Sequence, residues 1–405
     1  MLLYIHVPFC RSRCKYCSFY TQALGRKDTT PDSPILSRYV DTVCQELALW
    51  GQRLGNCSIS SIFFGGGTPS LLSPSMVETV LTAIRSHFAV DARAEITLEA
   101  NPESLKGTLA PSGYLAAGIN RLSLGVQSLD AEMLRMLGRV HKAQESVQAY
   151  TSAREAGFAN IGLDLMWGLP SQSVRHWMKT LHDIVALQPE HISCYGLTLE
   201  QGTVLDGEVK KGLLSLPVER DLRIMFLEGV KFLEKNGYMQ YEISNFARMG
   251  YQCRHNGGYW DGVDYVGVGP AATSTIGSVR RTNPSYALWE ESIAHGVLGG
   301  EEEQLSPLIR VLEMLMLSLR TARGISLDRY RAMTGHDFLL DHKKMVQALH
   351  ENGLIRIKKA FLRLTVEGMI VSNSILANLF EQTKRILAKE TLPSLDTAVW
   401  PGIDA

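Results

Sequence analysis

Three cysteines near the amino terminus, Cys10, Cys14 and Cys17, stand in the pattern CxxxCxxC directly after the β-rich run Leu3-Tyr4-Ile5-His6-Val7. A loop with that spacing can fold its thiolates round one inorganic centre. Iron–sulfur clusters are held by cysteine thiolates, normally four to a cluster. Three ligands leave one iron without a protein partner, and an open iron can bind a further molecule. Other uses of these cysteines fit less well. The chain's seven cysteines are an odd number and no signal peptide precedes the motif, which speaks against a disulfide framework. A structural zinc site wants four ligands, and His6 lies on the strand rather than at finger spacing. Unrelated buried thiols would sit among apolar neighbours, but Arg11, Ser12, Arg13 and Lys15 make this loop polar. Cys44, Cys57, Cys194 and Cys253 lack ligand spacing and read as packing, although Cys253 lies close to His255.

The 405 residues are 45% hydrophobic, enough for a large core and more than one domain. Lys plus Arg equals Asp plus Glu, 41 of each, so charge offers no case for nucleic acid or an anionic membrane. No apolar run reaches the length of a membrane span. An oxygen-sensitive cluster and free thiols both fit a reducing cytoplasm, which is the expected location.

Short apolar strands alternate with helical patterns through the first half. The runs around Leu3–Val7, Ser61–Phe64, Ile96–Glu99, Arg121–Val126, Ile161–Trp167 and His191–Leu197 read as strands. Between them, Tyr39–Leu54, Met76–Phe88, Met133–Leu137, Ala143–Ala156 and Trp177–Leu187 carry helical periodicity. Strands alternating with helices predict βαβ units and a parallel sheet. Right-handed crossovers would curl six units into a barrel, whole or open. In such barrels chemistry sits at the carboxyl ends of the strands. Those ends here carry the cysteine loop, Gly65-Gly66-Gly67-Thr68-Pro69, Glu99, Gln127, Asp164 and Tyr195-Gly196. Beyond the barrel, Arg220–Gly237 reads as a helix and Met239–Phe246 as one extended strand. Three helices and a hairpin after Ser306 predict a small winged-helix-like domain. It shows no basic recognition stripe, so it reads as a packing or partner module. The expected divisions are 1–237, 238–300, 301–380 and a tail from 381 to 405.

Several motifs stay open on their own chemistry. The GGGTP run lacks the lysine and spacing of a phosphate loop, and a glycine run is often only a tight turn. Glu99 is either a solvated strand end or an acceptor for a ribose diol. Arg139 is either a cation at a helix end or a ligand group. Asp164 lies in an apolar strand and needs partners. His255-Asn256-Gly257-Gly258-Tyr259-Trp260 is either a turn histidine with core aromatics, or an iron ligand beside a flat apolar platform.

The run YIHVPFCRSRCKYCSF resembles the radical SAM superfamily, in the branch holding oxygen-independent coproporphyrinogen oxidases and the HemW heme chaperones. The resemblance covers Tyr4 to about Phe380. It implies a partial (β/α)6 barrel, a [4Fe-4S] cluster on Cys10, Cys14 and Cys17, and S-adenosylmethionine (SAM) on the open iron, cleaved by one electron to a deoxyadenosyl radical. It assigns Tyr4, Gly66 and Glu99 to that SAM. It assigns Tyr16, Gly67, Thr68, Gln127, Arg139, Asp164 and Gly196 to a second SAM in the oxidases. The HNxxYW pattern is associated with the chaperones and implies heme on His255. The oxidases carry a fourth cysteine two places after the third, where this chain has Phe19, and an amino-terminal arm that this sequence lacks. The implied function is heme binding and delivery to recipient hemoproteins, with a reductant such as a flavodoxin or ferredoxin and membrane contact only through recipients. The alternatives are coproporphyrinogen oxidase activity and a scaffold with a structural cluster.

Overall fold

The computed structural model describes residues 1–30, 33–105, 109–388 and 392. Six strands form the centre: β1 (Leu2–Val7), β2 (Ser58–Gly66), β3 (Ala89–Ala100), β4 (Arg121–Gln127), β5 (Ile161–Trp167) and β6 (His191–Gly196). They pair in chain order and all parallel, as the alternation of strand and helix predicts. Parallel strands are covered on both faces, so their runs are buried nearly throughout. All seven residues of β4 except Gln127 are buried.

The helices between strands are set by ordinary signals. Pro74–His87 starts with Ser73, whose hydroxyl accepts from the Met76 amide at 3.3 Å, and has proline in its first turn. Val77, Val80, Leu81 and Ile84 share its buried face. Each buried aliphatic side chain of this size stabilises the fold by about 1.5–3 kcal/mol before entropy is counted.

The six strands do not close on themselves. Beyond β1 the sheet continues through Tyr265–Val268, parallel to β1, then antiparallel Thr273–Ile276, Val279–Thr282 and Glu301–Gln304. Beyond β6 it continues antiparallel through Asn245–Ala247 and Met239–Gln240. The predicted single strand from Met239 to Phe246 is thus a tight hairpin. Glu242 makes its turn, accepting from the Ser244 amide at 3.1 Å through its carboxylate.

A second hydrophobic core lies between Val311 and Leu387. It comprises helices and the three-stranded sheet of Ile325–Ser326, Phe361–Leu364 and Ile355–Lys358. Its last helix, Ser372–Leu387, was not read from the sequence; it buries Leu376, Leu379 and Leu387.

Candidate functional site

The carboxyl ends of the strands hold the cysteine loop. Cys10, Cys14 and Cys17 are free thiols, each partly exposed. The short strand Phe9–Cys10 pairs with Gln22–Ala23 and pins the loop at both ends. Burial raises the Cys10 thiol to about 11, and the neighbouring Cys14 and Cys17 push the same way, so the three sulfurs feel one another.

Gly67 lets the GGGTP turn lie against this loop. A Cβ there would stand 2.6 Å from the Phe9 carbonyl oxygen and 3.0 Å from Cys10 Sγ. Gly66 has φ +110°, and its amide donates to Glu99 Oε2 at 3.2 Å.

A hydrogen-bonded chain joins two of the cysteines. The Thr68 hydroxyl points at Cys10 Sγ from 3.6 Å and accepts from Asn101 Nδ2 at 2.9 Å. Asn101 Oδ1 accepts from Arg139, whose guanidinium also donates to the Gly125 carbonyl at 2.8 Å and to Cys14 Sγ at 3.5 Å. The bulge between Gly125 and Gln127 gives Gln127 a φ of +64° and sets it beside that guanidinium. Tyr16 packs against Met133, Leu137, Met166 and Leu169, beside Arg139 and Cys14. Gly196, at the exposed end of β6, rests on the Trp167 ring, which would lie 3.0 Å from a Cβ there.

Three free thiols on one loop are the donor chemistry of an iron–sulfur cluster. Among the described residues no three His, Cys, Asp or Glu groups converge on a single-ion point. A four-iron cube spreads its donors over three corners and needs no such convergence. His6, weighed as a fourth zinc ligand, has both ring nitrogens engaged, one with the Tyr4 hydroxyl at 3.1 Å and the other with the Tyr20 carbonyl at 2.9 Å.

Below the mouth lies a polar chamber of about 130 Å³. Tyr4, Glu99 and Asp164 line it together with Arg121, Ser123 and Ser193. Asp164 is satisfied by two hydroxyls, Ser123 at 3.0 Å and Ser193 at 2.6 Å. Burial, then the Asp164 charge, push the Glu99 carboxyl up to about 8. Arg121 is fully buried and faces these acids as their counter-charge.

Thus the structure gathers most of the predicted residues into two groups. Cys10, Cys14, Cys17, Tyr16, Gly67, Thr68, Gln127 and Arg139 surround the loop, while Tyr4, Gly66, Glu99 and Asp164 meet at or above the chamber. Glu99, which the resemblance assigns to SAM, lines the chamber and accepts the Gly66 amide. Asn101, Arg121, Ser123 and Ser193 escaped the sequence reading.

His255 lies in the wall of this chamber. It sits on the helix Arg254–Asp261, where a turn was one reading of the sequence. The residue is 1% exposed, its ring stacks on Phe63 at 5.0 Å, and its Nδ1 is engaged with Ser61 at 2.9 Å. Its Nε2 is buried without a partner and belongs to the 130 Å³ chamber.

The barrel, the thiol loop and the small carboxyl-terminal domain define a radical SAM protein of HemN-like architecture. Residues 4–184 match the Radical SAM superfamily and residues 305–371 the HemN C-terminal domain. The E. coli coproporphyrinogen III oxidase HemN shares the fold at a TM-score of 0.78 and 22% identity, over 93% of this chain and 89% of its own. Heme chaperone HemW of Synechocystis sp. is 39% identical over 80% of this chain and 78% of that protein. The Bacillus subtilis heme chaperone HemW is 32% identical over 92% and 97%. The Bos taurus mitochondrial radical S-adenosyl methionine domain-containing protein 1 is 36% identical over 97% and 90%. The chain belongs to the heme chaperone HemW family.

Proposed function

We propose that this protein binds heme as cargo and passes it to recipient hemoproteins, with a [4Fe-4S] cluster on Cys10, Cys14 and Cys17 and SAM on the open iron. The observation that carries the reading is the likeness to HemW chaperones along most of the chain. The site supports it through Phe19, 66% exposed at the position of the oxidases' fourth cysteine. When bound, the cluster supplies an electron to a SAM held beside it. The chain's own residues set the surroundings. Thr68 and Arg139 each direct a hydrogen at a cysteine sulfur, which stabilises thiolate charge. Glu99 and the Gly66 amide orient the nucleoside. The exposed Arg11 and Arg13 beside the thiols suit an acidic electron carrier, such as a flavodoxin or ferredoxin.

The test is anaerobic reconstitution, followed by heme titration and by transfer to an apo-hemoprotein. A Soret band that moves to the recipient supports the proposal. No heme uptake by the reconstituted protein overturns it. Formation of protoporphyrinogen from coproporphyrinogen, SAM and a reductant would favour the oxidase reading. Among the described residues no helix is long and apolar enough to cross a membrane.

A further inference from the structure

The histidine of the HNxxYW pattern stands at the opposite end of the barrel from the cysteines. Its ring is bonded to Ser61 and its amide donates to Glu95 Oε1 at 3.2 Å. Ser61 pairs with Glu95 across the sheet and with Leu2, the first residue of β1. The GGGTP turn begins where β2 ends, at Gly66. Gly66 lies five strand positions beyond Ser61, roughly 16 Å at the usual rise. The helix Arg254–Asp261 therefore stoppers the floor of the barrel. Gly258 makes the close seating possible, since a Cβ there would meet Leu2 at 2.7 Å.

From that floor His255 points upward. Its ring lies 6.4 Å from Tyr4 and edge-on to Tyr259 at 4.8 Å. Nδ1 is spent on Ser61, so only Nε2 remains, buried and unpartnered in a chamber shared with Glu99 and Asp164. An orphaned buried nitrogen is costly, and a ligand atom that meets it relieves that cost. Hydroxyl-rich groups match this lining. Two carboxyl groups, two serine hydroxyls and one imidazole nitrogen can each donate to or accept from an alcohol.

We infer that His255 is a ligand-binding residue of the barrel chamber, hydrogen-bonding through Nε2 to the sugar hydroxyls of the bound adenosyl group, and that it is not the iron ligand of heme. This rests on the SAM site proposed above but not on heme carriage. The experiment measures SAM affinity by calorimetry, without reductant, on anaerobically reconstituted full-length protein, together with the Soret spectrum after heme titration. His255→Ala should weaken SAM by about tenfold and leave the heme spectrum and stoichiometry unchanged. Ser61→Ala, which frees the ring without removing it, should weaken SAM by about twofold to fivefold. If circular dichroism shows that His255→Ala is misfolded, His255→Gln carries the same reading, with a smaller loss. Unchanged SAM affinity in the folded His255 variant overturns the inference, as does loss of the heme band from it with SAM binding intact. Absence of heme binding in the unsubstituted protein would sink the carrier function, and the SAM measurements would still decide the role of His255.

Discussion

Asn101 holds two cysteines in register without touching either. Its amide donates to Thr68 and its carbonyl accepts from Arg139, so one side chain ties the hydroxyl on Cys10 to the guanidinium on Cys14. Asn101→Ala should leave the fold in place and shorten the lifetime of the reconstituted cluster in air severalfold, followed by its absorbance and by iron content. A lifetime equal to that of the unsubstituted protein would count against the link. Nothing in the sequence marked this residue, because an asparagine before Pro102 reads as an ordinary turn. Glu99 makes a second prediction. Its folded carboxyl titrates near 8, against 4.5 for the ordinary group, because burial and Asp164 disfavour its charge. The folded state thus keeps a proton that the unfolded chain releases. That contribution to stability is complete below the lower value and disappears as pH rises through the upper one. Glu99→Gln should flatten the fall in melting temperature between about pH 5 and about pH 8.5, and parallel curves from the two proteins would refute it.

Among the elements, the six strands were legible because each is a short apolar run between helical patterns. The chamber was legible in principle as well. Arg121 and Ser123, and His191, Ser193 and Tyr195, are polar at every second place in otherwise apolar strands. Successive side chains of a strand face opposite ways, so that rhythm marks an interior wall. The sequence reading followed the strand ends and passed over it. The floor helix was not legible. It is eight residues long with Gly257 and Gly258 in its middle, a poor helix by propensity, and tertiary contacts hold it. Gly258→Ala would improve that propensity yet drive a methyl into Leu2. Overpacking should win and destabilise the protein by about 1–3 kcal/mol in chemical denaturation, whereas a gain in stability would show the seat to be loose.

At the scale of the whole molecule, the carboxyl-terminal domain braces this same floor. The Arg323 guanidinium pairs with Asp261 at the end of the floor helix, and Arg329 donates to the Asp261 carbonyl at 3.1 Å. The hairpin beyond β6 is tied on through Ile243 to Arg320 at 2.8 Å and through Ala322 to Tyr241 at 3.0 Å. Phe226 packs into both hydrophobic cores. Cores joined by shared side chains and backbone bonds should unfold together. Scanning calorimetry of the full chain should show one transition, and two resolved peaks would mean that the halves melt independently. With its lower end corked and clamped among the described residues, the open barrel keeps its axial mouth at the cysteine end. A guest that uses this axial route passes the sulfur-bearing lip on entry and again on exit, so such guests must take turns.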